Sequence, residues 1–320
     1  MIKVMVTEPE YRKAEEAFRN AGTFECIPAP AAEAELAAKI RAEGARYAIV
    51  GVEKYTGELY RALPPGGVVA RFGVGHDGVD KAQAARRGIL CCNTPGVLDN
   101  SVAECAIGLM LAAARRIALC AAANRAGKWN PPAPGTELSG KVLAVIGCGN
   151  IGRKVAAIAK YGLGMKTVGF DVRTGRTDEI DETVRDFSAA VREADFVTIH
   201  IPYLPETRDF IGRERLEWMK RSAILVNTAR GGVLDENALF DAVASGTIAG
   251  AALDVCKKEP YSPQHPEKDL RTLDGVLMTP HIGSSTREAC RRMAEAALRN
   301  IGLAVQGKTD EMNLLLPENN

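Results

Sequence analysis

The sequence predicts an α/β fold of two domains, each a doubly wound parallel sheet. Three observations carry that expectation. The chain has 320 residues, more than one domain of ordinary size. Apolar, strand-like runs alternate with helical stretches along nearly all of it, the pattern that lays helices on both faces of a parallel sheet. One stretch, residues 141–171, joins strand, glycine turn, helix, strand and acid in a fixed order.

The alternation begins at the first residues. Strands are expected at 2–6, 24–27, 47–52, 68–72 and 89–92, and helices at 10–20, 32–42 and 80–87, the first closed by Gly22. This is a small domain of the flavodoxin type, although strand order is not legible. Two of its loops suit a ligand, because loops after parallel strands gather at the carboxyl edge of the sheet. They are Gly51-Val52-Glu53-Lys54-Tyr55 and Phe72-Gly73-Val74-Gly75-His76-Asp77-Gly78. Bare backbone N–H groups in such loops suit an anion such as a carboxylate; a plain turn is the alternative reading.

Asn100 or Ser101 is placed to cap a long helix reaching about Ala123, with Glu104 completing a capping box on Ser101. The helix is alanine-rich and carries Glu104, Arg115 and Arg116, which fits a buried helix rather than a membrane span. A loop at 125–140, with three prolines and Trp129, then crosses into the second domain.

That domain opens with an apolar strand at 142–146. The turn Gly147-Cys148-Gly149-Asn150-Ile151-Gly152 follows, then a helix at 153–161 with Gly162 placed to cap it. A strand at 167–170 delivers Asp171. The chemistry fits a dinucleotide. Gly147 permits the tight turn, Gly149 lets backbone approach a pyrophosphate, and Gly152 lets the helix pack on the strand. Asp171 would take the ribose hydroxyls and favour NAD over NADP, a preference weakened by Arg173 and Arg176 just beyond. The domain is therefore read as a Rossmann NAD-binding domain. It continues with strands at 196–201, 223–227, 248–255 and 276–279. Helices are expected at 213–219 and from the Asp235 cap to Gly246, and a final one from Gly283-Ser284-Ser285-Thr286 to about Gln306.

Composition excludes other classes. Lys plus Arg number 41 against 40 Asp plus Glu, a net charge of +1, so nothing draws the chain to nucleic acid or a membrane surface. The first residues lack the apolar core and cleavage site of a signal peptide. The eight cysteines form no C-x-x-C pair and are expected to be reduced, mostly buried thiols of a cytoplasmic protein. No metal site is expected.

Three polar residues at strand ends or loops of the second domain carry the candidate chemistry: Arg230, Glu259 and His281. Hydride transfer to a ketone needs a polarised carbonyl and a proton for its oxygen. A histidine with a carboxylate neighbour suits the proton, and a guanidinium can hold a carboxylate with two prongs. Each also has an ordinary reading, as a surface ion pair, a solvated acid or a framework histidine. Of the other histidines, His200 is expected inside a strand, His265 in a proline-flanked loop, and His76 in the glycine loop, where it could contact substrate.

At this point the chain resembles the D-isomer-specific 2-hydroxyacid dehydrogenases over nearly its whole length. The likeness rests on Asn100-Ser101-Val102-Ala103-Glu104, the Gly147 to Gly152 turn with Asp171, and Val226-Asn227-Thr228-Ala229-Arg230-Gly231-Gly232. Ala252-Leu253-Asp254-Val255 leading to Glu259-Pro260, and Thr279-Pro280-His281-Ile282-Gly283, complete it. The resemblance implies that Arg230 holds a 2-oxo acid, that His281 is the general acid, and that Glu259 is its carboxylate partner. It implies backbone N–H groups of Val74 and Gly75 on the substrate carboxylate, and NAD contacts at Asn150, Ile151, Asp171, Thr228 and Asp254. It also implies that the final helix returns to the first domain. The substrate domain is then 1–98 completed by 288–320, and the NAD domain 99–287. A homodimer through the helix from Ser101 is implied as well.

Glu259 disfavours the formate dehydrogenase branch, where glutamine stands, and Val74 the phosphite dehydrogenase branch, where lysine stands. A chain ending at Asn320 is expected to lack the regulatory tail of many phosphoglycerate dehydrogenases. Lys54, in a loop unlike the commoner small-apolar patterns, is expected to reach the far end of an acidic or hydroxylated substrate. The first reading is an NAD-dependent oxidoreductase interconverting a 2-oxo acid and a D-2-hydroxy acid. The other is an NAD(H)-sensing, corepressor-like binding protein.

Overall fold

The computed structural model describes residues 1–129, 134–172, 175 and 177–317. Arg173 and Arg176, weighed for cofactor preference, lie outside the described residues. The chain divides into two compact units, Met1–Leu98 with Ser284–Asn320, and Asp99–Gly283.

The first unit is a five-stranded sheet of β1 (Ile2–Thr7), β2 (Phe24–Ala29), β3 (Tyr47–Val50), β4 (Val68–Arg71) and β5 (Leu90–Cys92). All pairings are parallel, in the order β2-β1-β3-β4-β5. This is the doubly wound order whose reversal, here between β1 and β3, opens a ligand crevice at the carboxyl edge. Every residue of β3 and β4 is buried, as a strand covered on both faces requires. The helix expected at 10–20 is instead two, Glu8–Lys13 and Glu15–Arg19, interrupted where Ala14 takes φ −139°. A helix at Glu58–Ala62 was not anticipated. Its opening N–H groups, Gly57 and Leu59, donate to the Glu33 carboxylate at 2.7 and 3.1 Å, so its cap comes from a residue remote in sequence. The helix Arg287–Val305 also belongs to this unit, with Thr286 accepting from the Ala289 N–H as its cap.

The second unit is a seven-stranded parallel sheet. Its strands are β6 (Val142–Ile146), β7 (Lys166–Phe170), β8 (Glu182–Val184), β9 (Phe196–Ile199), β10 (Ile224–Asn227), β11 (Gly250–Leu253) and β12 (Val276–Met278). Their order is β12-β11-β10-β9-β6-β7-β8. Alternate residues feed two cores. Ala144, Ile146, Val197, Ile199, Leu225 and Leu253 face one; Leu143, Val145, Val226 and Ala252 face the other, against Ala103, Ala106, Ile107 and Met110. β8 and the helix Phe187–Val191 were not anticipated. An edge strand of three residues, two of them Glu182 and Thr183, has no apolar run to reveal it.

Several expectations are corrected here. The helix expected to run from Ser101 to about Ala123 is two, Asp99–Ala114 and Ile117–Arg125, bent by 64° where Arg116 takes φ +53°. Ser101 makes no capping box. It lies inside the helix, and its hydroxyl donates to Gly283 O at 2.7 Å. The scarcity of charge in this helix reflects packing within its own unit, where Ala103, Ala106 and Met110 are fully buried. Gly162 does not cap the helix after the glycine turn. That helix widens into a π turn over Ile158–Gly162, and Gly164 takes the left-handed conformation at φ +64°. His200 and Asp254 stand just past the ends of β9 and β11 rather than inside them. All eight cysteines are free, but only Cys91, Cys92 and Cys290 are buried and five are partly exposed. Among the described residues no single helix is long and apolar enough to cross a membrane.

Candidate active site

The glycine turn follows β6, at the point where the strand order of the second unit reverses. Gly147 takes φ +98°, and a Cβ there would stand 2.7 Å from the His200 carbonyl. A Cβ on Gly152 would collide with Gly147 O, so the turn closes only with glycine at both places. Gly149 differs, since nothing lies within 4 Å of where its Cβ would be. The turn therefore leaves open space at its middle glycine, at the head of the helix Asn150–Ala157. Ile151 is half-buried on that helix, and Asn150 is exposed at its start. Asp171 follows β7, and its Oδ2 accepts from the Cys148 N–H at 2.7 Å, which locks the acid to the turn. Thr228, past β10, has a buried hydroxyl without a partner among the described residues. An open glycine turn, a carboxylate fixed at its rim and an orphaned hydroxyl at the same sheet edge fit a dinucleotide.

The same edge assembles the polar residues. His281 Nδ1 lies 2.7 Å from Glu259 Oε2, with both side chains partly exposed. Burial acts to raise the Glu259 pKa. The His281 hydrogen bond and charge, the Cys256 N–H at 3.1 Å and the charge of Arg230 outweigh it, holding the carboxyl below the usual glutamate range. Glu259 is thus an acceptor turned toward the imidazole, with Arg230 near enough to be felt.

Asn227 and Gly231 explain how Arg230 arrives there. Asn227, fully buried at the end of β10, accepts from the Ala229 N–H and donates to the Arg230 carbonyl, both at 3.0 Å. This is an Asx turn closed at both ends. Arg230 itself donates to Ala229 O at 2.7 Å. A Cβ on Gly231 would overlap the Cys256–Lys257 peptide. Only glycine lets the arginine turn press onto the loop that carries Glu259. That loop is held in turn by buried Glu236, which accepts from the Lys257 N–H at 2.6 Å.

Asp254 does comparable work for His281. Its buried carboxylate accepts from Thr279 Oγ1, Ile282 N and Gly283 N at 2.6, 2.8 and 2.7 Å, and its carbonyl from His281 N at 2.8 Å. His281 takes φ +55°, a conformation uncommon outside glycine, and the groups around it impose that turn. Strain of this kind collects at functional sites. The sequence reading placed Asp254 only by resemblance and did not single out Asn227 or Glu236. The N-x-A-R spacing of an Asx turn was the available signal for Asn227; nothing local marks Glu236.

The other histidines separate on physical grounds. His200 Nε2 faces Thr198 Oγ1 at 2.9 Å, and burial pushes its pKa down to about 3, so it stays neutral at working pH. His265 lies in an exposed loop. The Cys256 thiol, beside Glu259 in sequence, is pushed up to about 12, first by burial and then by the surrounding carboxylates, which removes it as a nucleophile.

In the first unit the two expected loops pack together. Tyr55 N donates to Gly78 O at 2.8 Å, and a Cβ on Gly78 would run into Glu53 O. Val74, Gly75 and His76 are half-buried, and Lys54 is exposed. Beneath the first loop sits a buried carboxylate, Glu10, bonded to Thr7. Gly51 makes room for it, since a Cβ there would stand 2.6 Å from Glu10 Oε1. Neither Glu10 nor the buried Arg71 was singled out from the sequence.

The chain is similar to known proteins of one family. Residues 107–283 match the family described as D-isomer specific 2-hydroxyacid dehydrogenase, NAD binding domain. A hydroxypyruvate reductase of Thermotoga maritima is 39% identical over 94% of this chain and 99% of its own length. A D-3-phosphoglycerate dehydrogenase of Methanocaldococcus jannaschii is 38% identical over 99% of this chain, which spans only 60% of that relative's length. Among solved structures, the TT0316 protein of Thermus thermophilus superposes with a TM-score of 0.83 at 34% identity, covering 98% of this chain and 100% of that one. A D-lactate dehydrogenase of Aquifex aeolicus, complexed with NAD and lactic acid, gives 0.82 at 26% identity, covering 99% and 100%.

Proposed function

The chain belongs to the D-isomer-specific 2-hydroxyacid dehydrogenase family, and on that premise we propose that it is an NAD-dependent oxidoreductase interconverting a 2-oxo acid and a D-2-hydroxy acid. The observation that carries the reading is the 2.7 Å contact between His281 Nδ1 and Glu259 Oε2 in reach of the Arg230 charge. When bound, the nicotinamide supplies or accepts the hydride. The residues of this chain do the rest. Gly147, Gly149, Asn150, Ile151 and Gly152 would hold the pyrophosphate and Asp171 the ribose hydroxyls, while Thr228, and Asp254 through the turn it fixes, would serve the nicotinamide end. Arg230 holds the substrate carboxylate and polarises its ketone. His281, oriented by Glu259, gives a proton to the ketone oxygen from Nε2 in reduction and takes it back in oxidation. In the first unit, Val74 and Gly75 offer backbone N–H groups suited to a carboxylate, and Lys54 suits the distal end of a longer substrate.

Relatives named hydroxypyruvate reductase and glyoxylate reductase, the latter from Thermococcus litoralis, favour a short 2-oxo acid. We read the assembly as a homodimer in which the helix Ile117–Arg125 takes part. None of its residues is buried, and Ile117 is 53% exposed. The eight free thiols fit a reducing compartment such as the cytoplasm.

The test is NADH oxidation with glyoxylate, hydroxypyruvate, pyruvate and longer 2-oxo acids, with chiral analysis of the product. Turnover to the D-hydroxy acid is expected. Tight NADH binding with no turnover on any of them would instead favour a dinucleotide-sensing protein.

A further inference from the structure

Loop 72–78 of the first unit is held by hydrogen bonds from Asn93 and Thr94. Asn93 Nδ2 donates to Val74 O at 2.7 Å, and the next residue, Thr94, donates its N–H to Gly73 O at 3.0 Å. Two consecutive carbonyls of the loop are thus gripped from one side. In a trans peptide the N–H points opposite to the C=O of the same unit. The unit of Gly73 O contains the Val74 N–H, and the unit of Val74 O contains the Gly75 N–H. Holding both carbonyls therefore aims both N–H groups the other way. Among the described residues neither N–H has an acceptor within the chain.

The grip is itself held. Asn93 O accepts from Asn300 Nδ2 at 3.0 Å, and Asn300 Oδ1 accepts from Asn313 N at 3.0 Å. Asn93 N donates to Asn313 O at 3.2 Å. Asn300 is 2% exposed on the helix Arg287–Val305, 207 positions from Asn93 in sequence. A buried amide is costly unless bonded, and this one uses both its donor and its acceptor to fix main chain.

We propose that Asn93 is a positioning residue that sets the Val74 and Gly75 N–H groups as a paired donor site for the carboxylate of a 2-oxo acid, and that Asn300 holds Asn93 in place. The proposal rests on the dehydrogenase reading for its ligand and on the hydrogen bonds alone for its clamp. Asn93 does not touch substrate; it acts through the orientation of two peptide planes.

The experiment pairs amide hydrogen exchange with kinetics on the full chain. Asn93→Ala removes the clamp, and the nearly isosteric, uncharged Asn93→Leu removes the donated bond while preserving volume. In both, the hydrogen-bonded Gly73 and Thr94 amides are expected to exchange faster. The KM for the best of glyoxylate, hydroxypyruvate and pyruvate should rise about tenfold, as for one lost carboxylate hydrogen bond. The kcat should stay within about twofold and NADH affinity should be unchanged, the pattern of lost ground-state binding. Asn300→Ala should move KM in the same direction by less. Unchanged exchange at Gly73 and Thr94 overturns the clamp. Faster exchange with an unchanged KM, or a kcat that falls with it, overturns the carboxylate site. If the wild-type chain reduces none of the three acids, the dehydrogenase reading fails, while the exchange data still decide whether Asn93 orders the loop.

Discussion

The carboxyl edges of the two sheets present different kinds of chemistry. The seven-stranded sheet offers ionisable side chains, Asp171, Arg230, Glu259 and His281, each in contact with main chain or with its ionisable neighbour. The five-stranded sheet offers main chain at Val74 and Gly75 and the exposed Lys54, and keeps Glu10, Arg71 and Asn93 buried beneath. On the proposed function, the first arrangement would move protons and polarise bonds, and the second would recognise shape and charge. A substitution at the first edge should therefore act on turnover, and one at the second on substrate affinity and choice.

The largest effect on kcat/KM is expected from Arg230→Ala. Losing a two-pronged charged contact and the polarisation of the ketone should lower kcat/KM by about 10³, with NADH affinity retained. Arg230→Lys should recover little, since an ammonium lacks the planar fork. A loss confined to KM would mean that this arginine recognises substrate only, which blurs the contrast between the edges.

An intermediate effect is expected from Glu259→Gln, about tenfold in kcat, because the imidazole loses its orienting carboxylate. Stability sharpens the point. The Glu259 pKa is lower in the folded chain than its ordinary value of 4.5, so its contribution is present above that value and is lost as pH falls through the folded pKa. The stability difference between wild type and Glu259→Gln, from urea titrations, should hold steady from neutrality to about pH 5 and shrink below it. A difference that grew on acidification would contradict a carboxylate stabilised in its charged form.

The smallest effect belongs to the other edge. Lys54 is exposed, so Lys54→Ala should leave glyoxylate kinetics within about twofold and raise KM about threefold to tenfold for a substrate with a distal acid. Equal loss on every substrate would show that Lys54 does not select among them.

The same contrast governs what the sequence revealed. The turn from Gly147 to Gly152 was legible because its glycines recur at short spacing, and Arg230 and His281 stood out as ionisable side chains at strand ends. The flavodoxin and Rossmann architectures were legible because strand and helix periods differ along contiguous runs. What escaped depends on partners far along the chain. The cap from Glu33 to Gly57 is one case, the Asn93–Asn300 pair another. The bend at Arg116 escaped because both flanking segments share one alanine-rich composition, so no breaker residue marks it. Asp254 was placed by resemblance alone, since four contacts on the 279–283 turn cannot be inferred from a strand-end aspartate.

The most direct test of the account is single-turnover reduction of the best 2-oxo acid by His281→Ala, read alongside NADH affinity by fluorescence titration. The account predicts a rate lower by about 10² or more with NADH binding unchanged. An unchanged rate would contradict it, because the ketone oxygen would then be drawing its proton from somewhere other than the His281–Glu259 pair.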